Sequence, residues 1–153
     1  MTETRNTKLE TRQRPERAGY MRLDAWKLSD DLALHLFHLT NKLPSNQYWL
    51  RSQIMRAAVS VPANIAEGYS RASNRELLQF LSIARGSLAE VEYYLHFLTR
   101  AELIDRVEGE NLGDLCKRAG QTLFGLMKSV RMDLPDKQTN KRYLREETGG
   151  YDA

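Results

Sequence analysis

Three groups of side chains in this chain have the types and spacing to do chemistry. His35 and His38 stand three apart, with Asp31 one turn before His35, so on a helix they could share an ion. Arg51, Arg56, Arg71, Arg75 and Arg85 fall within one stretch, residues 51–85, against only Glu67 and Glu76. Inside that stretch, "RAAVSVPANIAEGYSR" (56–71) places Asn64, Glu67 and Arg71 just beyond a proline in an apolar run. The chemistries on offer are metal binding, phosphate binding and a polar packing contact.

Metal binding has the least support. Further ligands would have to come from other helices, and the Glu-x-x-His pairs of di-iron bundles are absent. His35 is expected to be partly buried and His38 exposed, while His96 stands alone. Nucleophilic catalysis has no footing either, because there is no Gly-x-Ser-x-Gly elbow. Cys116, the one cysteine, lies beside Leu115 and Ala119 and reads as packing, with a reactive thiol as the alternative. Glu90 and Glu92 project from different helix faces, and Glu67 already has Arg71. No enzyme, metal or cofactor is expected.

Phosphate binding suits arginine, whose planar fork donates two hydrogen bonds at once. The five arginines of 51–85 against two glutamates give that stretch +3, which equals the whole chain's net charge. The first 22 residues, with six basic residues against three glutamates, carry another +3 and include Arg12, Arg14 and Arg17. The remainder is correspondingly acidic. No base-reading motif is present, so any nucleic-acid binding should be electrostatic and indifferent to sequence.

The elements that must position these groups are helical. Residues 24–41 carry Ala25, Leu28, Leu32, Leu36 and Leu39 at spacings of three and four, with Asp24 as a possible cap. A second helix begins near Ser45 and continues through Leu50, Ile54, Ala57, Ala58, Val61 and Ile65. A third opens on the capping box "SNRE" (73–76) and sets Leu77, Leu81, Ala84, Leu88, Val91, Leu95 and Leu98 in one seam. The fourth spans about 110–132, with Leu112, Leu115, Ala119, Leu123, Leu126 and Val130 inward. Short connections make neighbours antiparallel, so the predicted fold is all-α, an up-down-up-down antiparallel four-helix bundle over residues 23–132. Residues 1–22 read as a flexible basic arm and 133–153 as a flexible polar tail.

Pro62 leaves two arrangements open. Either the second helix ends near Ser60 and restarts with Pro62 in its first turn, or one kinked helix runs through, as the unbroken apolar stripe favours. In the second case the carbonyl of Ala58 needs water or a side chain such as Ser60. The polar residues are likewise open: a solvated face, or a network in which Asn64 and Glu67 meet Ser87 or Glu90 on the third helix across a gap at Gly86.

With 41% hydrophobic and 28% charged residues and no long apolar run, composition fits a cytoplasmic helical protein with no membrane segment. The N-terminus lacks a signal peptide's apolar core, and a single cysteine suits a reducing compartment.

"QIMRAAVSVPANIAEGYSR" and "SNRELLQFLSIARGSLAEVEYYL" resemble the bacterial four-helix-bundle proteins encoded in 23S rRNA intervening sequences. That family also takes in the accessory variability proteins of diversity-generating retroelements. The resemblance covers about 23–130 and is most specific in "RAAVSVPANIAEG" and "FLSIARGSLAEVE". It implies a ring-like homopentamer with a basic central channel, no enzymatic activity, and, from the accessory variability members, binding to RNA or DNA and to a reverse transcriptase. Arg56, Asn64, Glu67, Gly68, Arg71, Glu76, Gly86, Ser87 and Glu90 match the family pattern. Trp49 departs from it, standing where glycine is more usual, and the basic arm is longer. The resemblance favours a structural polar network of Asn64, Glu67, Ser87 and Glu90, and nucleic-acid contact through the arginines.

Overall fold

Four helices account for nearly all of the computed structural model, which describes residues 19–134: α1 Asp24–Thr40, α2 Tyr48–Tyr69, α3 Asn74–Arg100 and α4 Arg106–Met132. Each packs on the two beside it, α1 on α2, α2 on α3, α3 on α4 and α4 on α1. The diagonal pairs make no such close backbone approach, so the section is a square around one core. With three short connections this is the antiparallel up-down-up-down bundle that the leucine spacing predicts. Leu32, Leu36, Ile54, Ile65, Leu81, Leu98 and Leu123 are almost wholly withdrawn from solvent. Each such side chain contributes about 1.5–3 kcal/mol through burial.

The helix starts show how local chemistry sets the boundaries. Ser73 caps α3, its Oγ accepting the Glu76 backbone N–H at 3.2 Å while its hydroxyl donates to Glu76 Oε2 at 3.0 Å. Helix α4 starts earlier than its leucines suggest, because Asp105 caps it by accepting the Glu108 N–H at 2.8 Å. Asp24 is not a cap; it is the first residue inside α1, where Leu23 holds the cap position without a side-chain bond. Its carboxylate still suits the positive end of the helix dipole, and Lys27 Nζ lies 3.4 Å away.

Helix α2 runs unbroken from Tyr48 to Tyr69 with Pro62 buried inside it, which settles the split-helix alternative. A short 3-10 turn, Ser45–Gln47, leads into it. The inward face of α4 is rotated from the leucine stripe: Cys116 and Met127 are buried, whereas Leu115 and Leu126 sit half-buried at the flanks. Both registers satisfy the three-four spacing, and the positions of α1 and α3 select between them. The folded unit also begins before Leu23, since Gly19–Arg22 forms a 3-10 turn packed on α1 and α2. The rest of the predicted arm and all of the tail from 135 lie outside the described residues. Among those described, no helix is long and apolar enough to cross a membrane.

Candidate nucleic-acid interface

Two of the five arginines, Arg56 and Arg71, meet the polar residues along the outer seam between α2 and α3. On α2 the seam uses Gln53, Arg56, Ser60, Asn64 and Glu67, whose spacings of three and four place them in one row. At its centre Ser60 Oγ and Ser87 Oγ share a hydrogen bond of 2.9 Å across the helices. Asn64 Nδ2 supports this contact by donating to the Ser60 carbonyl at 2.8 Å and to Ser60 Oγ at 3.0 Å. The Ser60 hydroxyl is therefore engaged by α3 and does not turn back to the Ala58 carbonyl.

Glu67 and Glu90 do not join this group. Glu67 Oε1 receives Arg71 Nη2 at 2.6 Å, and the Arg71 guanidinium lies 4.8 Å from the Phe80 ring centre. Glu90 Oε1 is 3.8 Å from Arg56 Nη2, which donates to Gln53 Oε1 at 2.8 Å. The four residues thus form three separate contacts along one seam, not one network. Both ion pairs are solvent-exposed, so each adds at most about 1 kcal/mol. Gly86 is not the gap where the helices meet, for a Cβ there would face open space. The close approach lies at Gly68, where a Cβ would come within 2.7 Å of Phe80 Cβ and 3.0 Å of Leu77 Cδ1. Gly68 and Phe80 escaped the sequence reading as contact residues because their meeting depends on how the α2–α3 turn folds back.

The five arginines are not gathered on one face. Arg51 and Arg56, five positions apart, point about 140° apart around α2, and Arg75 and Arg85 about 80° apart around α3. Arg56 and Arg71 are each held by a carboxylate. Among the described residues no carboxylate pairs with half-buried Arg51 or with exposed Arg75 and Arg85.

The other sequence candidates separate cleanly. His35 is exposed, contrary to its expected partial burial, and its Nδ1–H donates to the Asp31 carbonyl at 2.7 Å. It lines a surface cleft together with Asp105, Arg106, Glu108 and Asn111 at the start of α4. His38 is exposed with its ring edge-on to Phe37 at 5.5 Å. No group of three His, Cys, Asp or Glu among the described residues is placed to hold a metal. Cys116 is buried against α3, with Sγ 3.9 Å from the Leu88 carbonyl. Burial, helped by the negative charge of Glu92, pushes its thiol up to about 11. That describes a packing residue and not a nucleophile.

Three aromatic residues of α2 and α3 stand out into solvent: Tyr48 is 74%, Trp49 57% and Tyr93 59% exposed. Tyr93 also contacts Tyr94 and Phe97, with ring centres 5.8 and 6.3 Å away.

The family model for 23S rRNA-intervening sequence proteins matches residues 21–125. Among solved structures, a protein of unknown function from the S23 ribosomal protein family of Bacteroides thetaiotaomicron VPI-5482 superimposes with a TM-score of 0.64. The two are 27% identical over 68% of this chain and 95% of that one. No curated protein matches. The matched span runs from the N-terminal 3-10 turn through most of α4 and contains the whole α2–α3 seam, so this chain belongs to the 23S rRNA-intervening sequence protein family.

Proposed function

We propose that the protein is a non-enzymatic homo-oligomer, pentameric as its resemblance implies, that binds RNA or DNA without sequence preference through arginine side chains. The observation that carries this reading is the α2–α3 hairpin. Residues 51–85 hold five arginines against two glutamates, and Arg51, Arg75 and Arg85 have no carboxylate partner among the described residues. Phosphate oxygens are the natural ligands of such groups. Repetition around a symmetry axis would turn this modest charge into a strong field. The half-buried Ser60–Ser87 contact serves the reading indirectly, by holding the two helices in register.

Fluorescence anisotropy with labelled structured RNA and duplex DNA, at about 50 and 200 mM salt, tests it. Six or more phosphate contacts in an assembly should cost a factor of about 10³ or more in affinity over that range. Sedimentation at the same salt reports whether the assembly persists. Absence of binding to both probes at the lower salt would sink the reading.

A second reading has its own support. Tyr48, Trp49 and Tyr93 are large, exposed and aromatic, the types enriched at protein–protein contacts. A scaffold presenting them to another protein, a reverse transcriptase among the partners raised by the resemblance, would show weak nucleic-acid affinity. It would also lose its partner when Trp49 becomes Ala.

A further inference from the structure

One end of the α2–α3 seam is aromatic. Arg56 and Glu90 face each other across that seam, with Nη2 and Oε1 3.8 Å apart. Seven residues before Arg56 stands Trp49, and seven after Glu90 stands Phe97. A step of seven turns a helix through nearly two full turns, about 20° short, so each residue keeps its row. The helices are antiparallel, so both steps run the same way and set Trp49 beside Phe97, about 10 Å further along. Phe97 in turn contacts Tyr93, with ring centres 6.3 Å apart, and Tyr93 contacts Tyr94 at 5.8 Å. Trp49 and Tyr93 are more than half exposed, while Phe97 and Tyr94 are half-buried.

Each exposed ring has an arginine two turns away in its own row: Arg56 for Trp49, and Arg100 for Tyr93. Arg100 is exposed and has no carboxylate partner among the described residues. Arg56 donates to Gln53 at 2.8 Å and holds Glu90 only loosely, so most of its five N–H donors are left for a further acceptor. Each interval of about 10 Å equals roughly three nucleotides of a stacked strand at 3.4 Å apiece. Glu90, Glu92 and Glu102 lie in the same part of α3 and its turn, so this is no strongly basic patch. Charge by itself would not hold a polyanion here, and the rings must contribute. A duplex cannot use them, because its base faces are covered by neighbouring bases; a single strand offers open faces.

We propose that this end of the α2–α3 face is a stacking platform for single-stranded nucleic acid. One base lies on Trp49 and another on Tyr93, and Arg56 and Arg100 take nearby phosphates. The proposal rests on the nucleic-acid reading of the preceding section and names the form of ligand it takes. Every base has a π-face, so stacking is indifferent to sequence, as that reading requires. A protein covering the same rings would have to strip water from Arg56, Glu90 and Arg100 together, at a cost that few pairings repay. A single strand leaves Glu90 in water and brings its own anions to the arginines.

The test uses the full chain and three 5′-labelled probes of about 12 nucleotides, a span that such platforms cover. They are oligo(dT), an abasic strand with the same phosphates, and oligo(dT) paired with oligo(dA). Anisotropy at about 50 mM salt should show oligo(dT) bound at least about tenfold more tightly than either of the others. Trp49→Ala and Tyr93→Ala should each weaken oligo(dT) binding about 5- to 100-fold and leave the abasic strand unaffected. Phe124→Ala, an equally exposed aromatic on α4, should change nothing. Replacing Arg56 and Arg100 together by Gln should lower the slope of log K against log salt by about 1 to 1.5. In a Trp26→Phe background Trp49 is the one tryptophan left, and oligo(dT) should quench its emission where the abasic strand does not. That signal changes nothing at the site, so it reports even if the alanine variants fold poorly. If wild type binds all three probes alike, or both alanine variants keep its oligo(dT) affinity, the platform is wrong and the nucleic-acid reading survives. If sedimentation shows Trp49→Ala losing its assembly together with its binding, Trp49 serves a protein contact and the platform is overturned. If wild type binds none of these probes, nor the structured RNA and duplex DNA of the preceding section, the nucleic-acid reading fails and takes the platform with it.

Discussion

Replacing Gly68 and Gly86 by alanine, one at a time, should move stability in opposite directions. At Gly68 the new methyl would meet Phe80 Cβ at 2.7 Å and Leu77 Cδ1 at 3.0 Å, with the Leu77 carbonyl at 3.4 Å. Carbon atoms rest about 3.5–4.0 Å apart, so the Phe80 contact is short by roughly 0.8 Å or more. The Leu77 methyl can swing aside, but Phe80 Cβ rides on the backbone and moves only with α3. Overpacking of this kind costs about 1–3 kcal/mol. Alanine recovers part of that through helix propensity, about 1 kcal/mol in a helix interior and less here, one residue from the end of α2. The net expectation for Gly68→Ala is a loss of about 1–2 kcal/mol. Gly86 lies mid-helix in α3 with nothing within 4 Å of the added atom, so Gly86→Ala should stabilise by about 0.5–1 kcal/mol. Urea unfolding followed by circular dichroism at 222 nm reads both, repeated at several protein concentrations so that a change in assembly is separated from a change in folding. Gly68→Ala as stable as wild type, or Gly86→Ala clearly destabilised at every concentration, would refute the claim that Gly68 packs directly on α3 while Gly86 faces solvent.

Glu102 sits at φ 57° directly after α3, in a Schellman turn where Leu103 N–H reaches the Leu98 carbonyl at 3.0 Å and Glu102 N–H the Thr99 carbonyl at 3.1 Å. Glu102→Gly should therefore raise the melting temperature by a few degrees, equivalent to about 1 kcal/mol; an unchanged or lower value counts against the turn. Cys116 should alkylate slowly. With its thiol near 11 instead of 9.0, the thiolate fraction at pH 8 is about a hundredfold lower than in the unfolded chain, so iodoacetamide labelling should need urea. Because the folded value is the higher one, the stability linked to this thiol is intact below pH 9. It is lost as pH rises towards 11, which a Cys116→Ala variant should not show. Ser87→Ala should cost about 1 kcal/mol, and a double-mutant cycle with Ser60→Ala should give a coupling energy of at least about 0.5 kcal/mol; additivity would mean that their 2.9 Å hydrogen bond does not hold the seam.

Much of the fold was legible in the spacing of apolar residues, because a helix in a bundle must repeat its buried face every three or four positions whatever its partner. Four helices, their antiparallel order and the Ser73 cap all follow from such local rules. So does the pairing of Glu67 with Arg71, one turn apart. The start of α4 was legible too, in Asp105 and Glu108, but leucine spacing alone points several residues too late. Other features turn on three-dimensional placement. Leu115 and Cys116 are equally good inward residues by periodicity, and only the neighbours of α4 decide that Cys116 goes in. Gly68 and Gly86 look alike in the chain, yet one touches α3 and the other faces open space, since the depth of contact depends on how the α2–α3 turn closes. Asn64, Glu67, Ser87 and Glu90 share a seam but make three separate contacts, because side-chain reach is set by distances between helices that no spacing encodes. Local chemistry determined which segments are helices and where most of them stop; the tertiary structure decided which polar groups meet between helices, because a hydrogen bond fades within an ångström or so of its proper distance.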